Sequence, residues 1–257
     1  VTQMQIDLNS DLGEGLGSWR MGDDEALLGI VTSANVACGF HAGDPPIMRA
    51  VTTMAAARGV AVGAHVAYRD LTGFGRRFID MEPDVLTDEV VYQIGALDGM
   101  ARRAGHRVTY VKPHGALYNA VVTHEEQAAA VVRAVREYDA DLVLVGLPGS
   151  VVLRLAVEAG LRTAREAFAD RAYTPEGQLV PRTRPGAVLH DRELIARRCV
   201  AMATGEPVAD VNGDPLTVHP DSLCVHGDTP GAVGIARAVR AALQGAGVTL
   251  APFVATV

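Results

Sequence analysis

Four of the eight histidines (His41, His65, His114 and His226) and the only lysine, Lys112, stand at or just past the ends of short apolar runs. Other polar residues gather at the same places. "IDLNSDLGEG" offers Asp7, Asn9, Asp11 and Glu14, and "ANVACGFHAGDPP" offers Asn35, Cys38, His41 and Asp44. His65 is followed by Asp70, Arg76 and Arg77, and "KPHGALYN" carries Lys112, His114 and Tyr118. "REAFADRAY" adds Glu166, Asp170, Arg171 and Tyr173, and "CVHGD" adds His226 and Asp228. Carboxylates, imidazoles, one amine and guanidinium groups together suit hydrolysis by general acid and base catalysis. A carboxylate or imidazole activates water. Lys112 stabilises an oxyanion or donates a proton, with its pKa expected to fall on burial. Arginines grip a carboxylate or phosphate in bidentate fashion. Asp11, His41 and His65 are also candidate ligands for a divalent metal, although no H-E-x-x-H or similarly tight spacing supports one.

The lysine is conspicuous because the chain has 22 arginines beside it. On a solvated surface the two are interchangeable, but arginine cannot supply a compact ammonium that gives up its proton. A GC-rich codon bias is the plainer account of the arginines. Single residues also have plainer roles. Asp44 before Pro45 reads as a helix N-cap. Cys38 and Cys224 read as small buried hydrophobes, Asp7 as an interior hydrogen bonder, and His106, His124, His190 and His219 as surface residues.

Convergence of these side chains requires elements that end on one face. Candidate strands are residues 4–9, 34–39, 60–65, 108–113, 142–146, 162–168, 223–227 and 248–253. Most are continuous apolar runs, the pattern of parallel strands buried on both faces. Helical patterns alternate with them. One runs from Asp44 to Gly59, one opens at Thr87 and ends at Gly105, and one opens with a capping box from Thr123 to Glu126. Others cover 149–160 and 191–205, and a last one has Thr229 as cap and Pro230 as first residue. Strand, loop and helix repeated about seven times make a (β/α) barrel or a doubly wound sheet. The absence of G-x-G-x-x-G and G-x-x-x-x-G-K-[ST] turns, and polar residues after nearly every strand, favour the barrel, whose strand ends converge on one rim. Two long loops, 66–86 and 169–190, are rich in Gly, Pro and Arg, and loops of that length are usually functional or disordered.

The 257 residues suit one domain, and 49% apolar residues can bury a full core. A net charge of -7 argues against nucleic acid as main partner. No apolar run has the length of a membrane span, and the start lacks a basic stretch followed by an apolar one. Three scattered cysteines suggest neither a disulfide framework nor a zinc ribbon. A reduced, cytoplasmic protein is the expectation.

"IDLNSDLGEG", "NVACGFHAGDP", "VGAHVAYRDLTGFGRR", "VKPHGALYN", "EAFADRAY", "LVPRTRPGAVLHD" and "CVHGDTPGA", in this order, resemble the LamB/YcsF family, the A-subunits of 5-oxoprolinase. The resemblance covers nearly the whole chain. It implies a single domain over 1–257, an α/β fold of irregular, TIM-like (β/α) barrel form with about seven parallel strands, of the glycoside hydrolase/deacetylase type. It also implies ATP-dependent opening of 5-oxoproline (pyroglutamate) to L-glutamate together with partner subunits B and C. The missing phosphate loop fits nucleotide activation residing in those partners.

On that resemblance the catalytic set is Asp11, His41, His65, Lys112, His114 and Glu166. Asp11 or His41 is the water-activating base, and Lys112 and His114 stabilise an oxyanion or phosphoryl group. The substrate-binding set is Asn9, Glu14, Asn35, Arg76, Tyr118, Arg171, His226 and Asp228. Arg76 or Arg171 grips the substrate carboxylate, and Asn9, Asn35 and Tyr118 orient the ring. Two rivals stay open: a metal-dependent deacetylase or amidohydrolase acting alone, and a non-catalytic ligand-binding subunit. Homo-oligomerisation and a bound divalent metal also stay open.

Overall fold

The computed structural model describes residues 4–227 and 231–255. In chain order the elements are β1 (Gln5–Leu12), α1 (Asp24–Leu28), β2 (Ser33–Ala37), α2 (Pro45–Arg58), β3 (Ala61–Val66) and α3 (Pro83–Arg103). Next come β4 (Val108–Pro113), α4 (Gly115–Ala120), α5 (Glu125–Tyr138), β5 (Val143–Gly146), α6 (Val151–Glu158), β6 (Arg162–Phe168) and α7 (Arg192–Thr204). The chain closes with β7 (Val208–Ala209), β8 (Pro215–Leu216), β9 (Ser222–Val225), α8 (Ala232–Gly245) and β10 (Thr249–Leu250).

Seven strands form a closed parallel barrel in the order β1-β2-β3-β4-β5-β6-β9, with β9 returning to pair with β1. Side chains alternate across each strand with period two. On β1, Leu8 and Leu12 pack outward in the apolar core beneath the helices, while Asp7, Asn9 and Asp11 share the other face and point inward. Parallel register then decides which inward residues meet. Asp11 lies beside Asn35, His65 beside Lys112, and Glu166 beside Ser222. The lower end of the barrel is plugged by Ala61, Tyr110, Val143, Val145, Ala164 and Val254. Gly63 makes that plug possible, since a Cβ there would lie 2.0 Å from the Tyr110 ring.

Several boundaries differ from the sequence pattern. The eighth predicted strand contributes only β10, which pairs with Gln5 and Ile6 outside the ring of seven. The barrel has already closed through β9, so no place is left for an eighth strand. Helix α3 begins a turn earlier than Thr87, at Pro83, and the Thr87 hydroxyl donates back to the Pro83 carbonyl at 2.9 Å. The cap of α5 is His124, whose Nδ1 accepts from the Gln127 N–H, instead of a Thr123–Glu126 box. Thr229 and Pro230 lie outside the described residues. Helix α2 follows its sequence signals: Asp44 Oδ1 accepts from the Ile47 N–H at 2.9 Å, and Gly59 ends the helix at φ 65°. His106 is buried instead of exposed, and its ring contacts the Val60 carbonyl at 2.9 Å.

Both long loops are ordered walls. The first is held by Gln93, which bonds both backbone groups of Ala67, and by the Asp70–Arg77 ion pair. The second is held by Arg171, which donates to the carbonyls of Val180 (2.6 Å) and Ala187 (3.3 Å). Among the described residues, no helix is long and apolar enough to cross a membrane.

Candidate active site

The polar interior of the barrel is stacked in layers. Lowest is Asp7, whose carboxylate accepts from Thr32 (2.6 Å), Ser33 (2.6 Å) and Ser222. Burial pushes the Asp7 carboxyl up to about 6, against those hydrogen bonds. Above it, the Asn9 amide donates to Glu166 (3.0 Å) and Ser222 (2.6 Å). Asn35 donates to Asn9 (2.7 Å) and Asp11 (2.8 Å), and the Tyr110 hydroxyl donates to Asn35 (2.7 Å). At the top, Lys112 Nζ lies 3.0 Å from Asp11 Oδ1, 2.7 Å from Glu166 Oε1 and 3.3 Å from the Cys224 sulfur.

This arrangement reverses the expected titration of the lysine. Burial favours the neutral amine, but the Asp11 and Glu166 carboxylates outweigh it and hold Lys112 well above the ordinary value. Asp11 is the mirror case. Burial pushes its carboxyl up, while His65 and Lys112 bring it well below the usual range. Lys112 is thus a fixed cation at the base of the site. Burial holds the Cys224 thiol well above its ordinary pKa, so it is a neutral neighbour and no nucleophile.

A histidine wall rises beside this layer from the ends of β2, β3 and β4. His41 Nε2 meets Glu14 Oε1 at 3.1 Å, and its ring stacks on His114 with centroids 3.7 Å apart. His114 Nδ1 lies 3.0 Å from His65 Nε2 and 3.5 Å from Glu14 Oε1. Burial keeps both His41 and His114 well below the ordinary imidazole value, so both are neutral at pH 7. The first long loop clamps the wall. The Phe74 carbonyl accepts from His114 Nε2 at 2.9 Å, and Phe74 takes a left-handed φ of 54° to present it. Strain of this kind persists where surrounding structure over-determines it. The next residue must be glycine, because a Cβ on Gly75 would lie 2.9 Å from both His41 and His114. Glu14, His41, His65 and His114 could hold a metal ion, as could Asp11, Cys224 and His226.

A cavity of about 530 Å³ opens over these layers at the C-terminal rim of the strands. Asp11, Lys112, Glu14, His65 and His114 line it, with Tyr118, Phe168 and His226 as side walls. Arg76, Arg171 and Arg182 come from the two long loops. Burial depresses the Arg171 guanidinium to about 10, which leaves it charged at neutral pH. His226 is stacked on Phe168 and bonded to Asp170 at 2.8 Å. Burial first, and then the neighbouring Glu166 carboxylate, push the Tyr118 hydroxyl well above its ordinary pKa.

The LamB/YcsF family profile matches residues 6–257. The chain belongs to the LamB/YcsF family. This LamB/YcsF protein is 60% identical over 250 residues to the A-subunit of 5-oxoprolinase from Paracidovorax citrulli, covering 97% of this chain and 100% of the relative. It is 58% identical over 248 residues to the A-subunit of 5-oxoprolinase from Kocuria rhizophila, covering 96% and 98%. Its structure superposes on the crystal structure of the lactam utilization protein from Thermus thermophilus with a TM-score of 0.93 at 44% identity, covering 97% of this chain and 100% of that one. The barrel expected from the sequence is the family's barrel.

In this LamB/YcsF protein nine of the predicted site residues reach the cavity: Asp11, Glu14, His65, Arg76, Lys112, His114, Tyr118, Arg171 and His226. Four do not line it. Asn9 and Asn35 lie in the layer below and bond to one another, Glu166 lies beneath Lys112, and His41 lies behind Glu14 and His114. Asp228 is outside the described residues. Sequence reasoning passed over Arg182 and Phe168, which line the cavity, and Tyr110 and Ser222, which support it from below. "PRTRPG" signals a basic loop but not which arginine turns inward. Tyr110 and Phe168 carried a usable signal, since each stands two residues from a singled-out inward residue on its own strand.

Proposed function

We propose that the chain, as one barrel domain, is the component that holds the lactam in a cytoplasmic, ATP-dependent 5-oxoprolinase assembled with partner subunits B and C. The product is L-glutamate. The observation that carries this reading is Lys112, a buried cation between Asp11 and Glu166 at the floor of a cavity with arginines in its wall. The names of the relatives support it. 5-Oxoproline presents a carboxylate and a cyclic amide. Arg171 or Arg76 binds the carboxylate, and Tyr118 faces the ring. Transfer of the γ-phosphoryl group of ATP to the lactam oxygen gives an imidate phosphate. Water positioned by Asp11 adds across the C=N bond, its oxygen to carbon and one proton to the ring nitrogen. The C–N bond then breaks as the new hydroxyl becomes the acyl carbonyl and its proton passes to the departing nitrogen, and a second water converts the acyl phosphate to glutamate and phosphate. Lys112 faces the negative charge on the phosphorylated oxygen, where a fixed positive group lowers the barrier most, and His114 lines the same wall as a neutral imidazole.

The test is glutamate release by the complex of this chain with subunits B and C, given ATP and 5-oxoproline. Lys112→Ala is expected to abolish release, and unchanged turnover would remove Lys112 from the mechanism. A second reading, amide hydrolysis by this chain alone, is favoured by the histidine–glutamate cluster at the cavity wall. Hydrolysis without ATP or partners would decide for it.

A further inference from the structure

The hydrogen bonds of the histidine wall determine where its protons sit. His65 Nδ1 faces the Lys112 carbonyl at 3.1 Å, and His114 Nε2 faces the Phe74 carbonyl at 2.9 Å. A carbonyl only accepts, so each of those nitrogens carries a proton. The other two nitrogens, His65 Nε2 and His114 Nδ1, face one another across 3.0 Å, and they present two lone pairs unless a proton or a metal ion lies between them. Carboxylate oxygens surround the gap, with Glu14 Oε1 3.5 Å from His114 Nδ1 and Asp11 Oδ1 3.3 Å from His65 Nε2. Two imidazole nitrogens and two carboxylates converging on one gap favour a positive centre within it, a proton or a metal ion.

We propose that His65 Nε2, His114 Nδ1 and a Glu14 oxygen bind one divalent transition-metal ion, zinc(II) in the test below, with a further position open to the cavity. Two imidazoles and a carboxylate are a ligand set that zinc accepts, with the remaining position left for water or substrate. The distances suit it. Ligands about 2.0–2.1 Å from a tetrahedral ion stand roughly 3.3 Å from each other, and the observed pairs stand at 3.0 and 3.5 Å. The ring planes of His65 and His114 are 87° apart, so both lone pairs can aim at one point. His41 is not a ligand in this arrangement. It lies parallel to His114, 9° apart at 3.7 Å, and two stacked rings cannot both hold an ion in their planes. His41 instead donates from Nε2 to Glu14 and orients that carboxylate, the supporting role outer residues take at metal sites. The two outer carbonyls do the same for the ligand histidines. All three ligands line the cavity and His41 does not, which matches this division. The inference stands whether or not the lactam is the substrate, because the ion is sought without substrate.

The experiment uses the full chain without a histidine tag, stripped with chelator and titrated with zinc chloride by calorimetry at pH 7.5. One equivalent is expected to bind, and cobalt(II) in its place is expected to give visible d–d absorption. His65→Ala and His114→Gln should each weaken binding at least 100-fold, and His41→Ala by about 10–100-fold. His190→Ala, at an exposed histidine, should leave binding unchanged. Failure of the folded wild type to take up zinc overturns the proposal, as does zinc binding that survives both ligand substitutions. Should a variant fail to fold, ¹⁵N histidine spectra of the wild type decide. Movement of the His65 and His114 signals on zinc addition supports the site. A doubly protonated ring in that pair, unchanged by zinc, means that a proton and not a metal fills the gap.

Discussion

Lys112 Nζ stands 2.7 Å from Glu166 Oε1 on a barrel whose interior offers both groups almost no water. The same ammonium lies 3.0 Å from Asp11. Two buried carboxylates therefore share one cation, and the charge of each depends on the other two. Loss of one member of a buried ionic group costs more than the group contributes as a whole, because the remaining charges stay desolvated.

Lys112→Met is expected to cost about 3–5 kcal/mol in urea unfolding, beyond its effect on turnover. Combining it with Glu166→Gln should recover part of that loss, since the second substitution removes an uncompensated charge. Strict additivity of the two in a double-mutant cycle would show that the groups are not coupled.

Asp7 predicts an unusual pH dependence. An acid whose folded pKa is raised keeps its proton in the folded state while the unfolded chain has lost it. The resulting stability is present below the unfolded value of 3.8 and is lost as pH rises to about 6. Asp7→Asn removes this dependence. The stability difference between wild type and variant should therefore shift by about 2 kcal/mol between pH 4.5 and 7.5, in favour of the wild type at the acid end. Urea midpoints at the two pH values check it, and a constant difference would count against a raised Asp7.

Arg182 and Arg171 line the same cavity, but only Arg171 also ties its loop together. Arg182→Gln should raise KM for 5-oxoproline by roughly 10-fold, the worth of one charge-assisted contact, with Tm within about 1 °C of wild type. Arg171→Gln should raise KM and lower Tm together. Steady-state kinetics on the reconstituted complex and thermal unfolding of each variant separate the two roles.

Gly63→Ala tests the packing beneath the site. A methyl group there meets the Tyr110 ring, so the ring must shift and its hydroxyl must leave Asn35. The expected cost is about 1–3 kcal/mol for overpacking, with a further loss if the hydrogen bond is not remade. Denaturant midpoints measure it, and Gly63→Ala with Tyr110→Phe should be no worse than the single change.

Much of the fold was legible in the chain. Seven of the eight candidate strands, the Asp44–Pro45 helix start and the Gly59 stop are local features, set by side-chain period and backbone preference over a few residues. That is why helix α2 and the barrel strands follow the sequence pattern. The convergence of His65, His114, Lys112 and Asp11 was also readable, because a parallel barrel brings every strand end to one rim.

What one residue meets across the barrel was not readable. Alternation along β1 places Asp7, Asn9 and Asp11 on one face, yet only closure and register decide which of them lines the cavity and which is covered from above. Lys112 shows the consequence most plainly. Its position in the chain indicates burial, which lowers the pKa of an amine, whereas its neighbours Asp11 and Glu166, 101 and 54 residues away in sequence, raise it. Residue type and spacing determined the barrel and the kinds of groups at its rim. The tertiary structure decided their protonation, because electrostatic interaction depends on distance through space between groups that the chain itself keeps far apart.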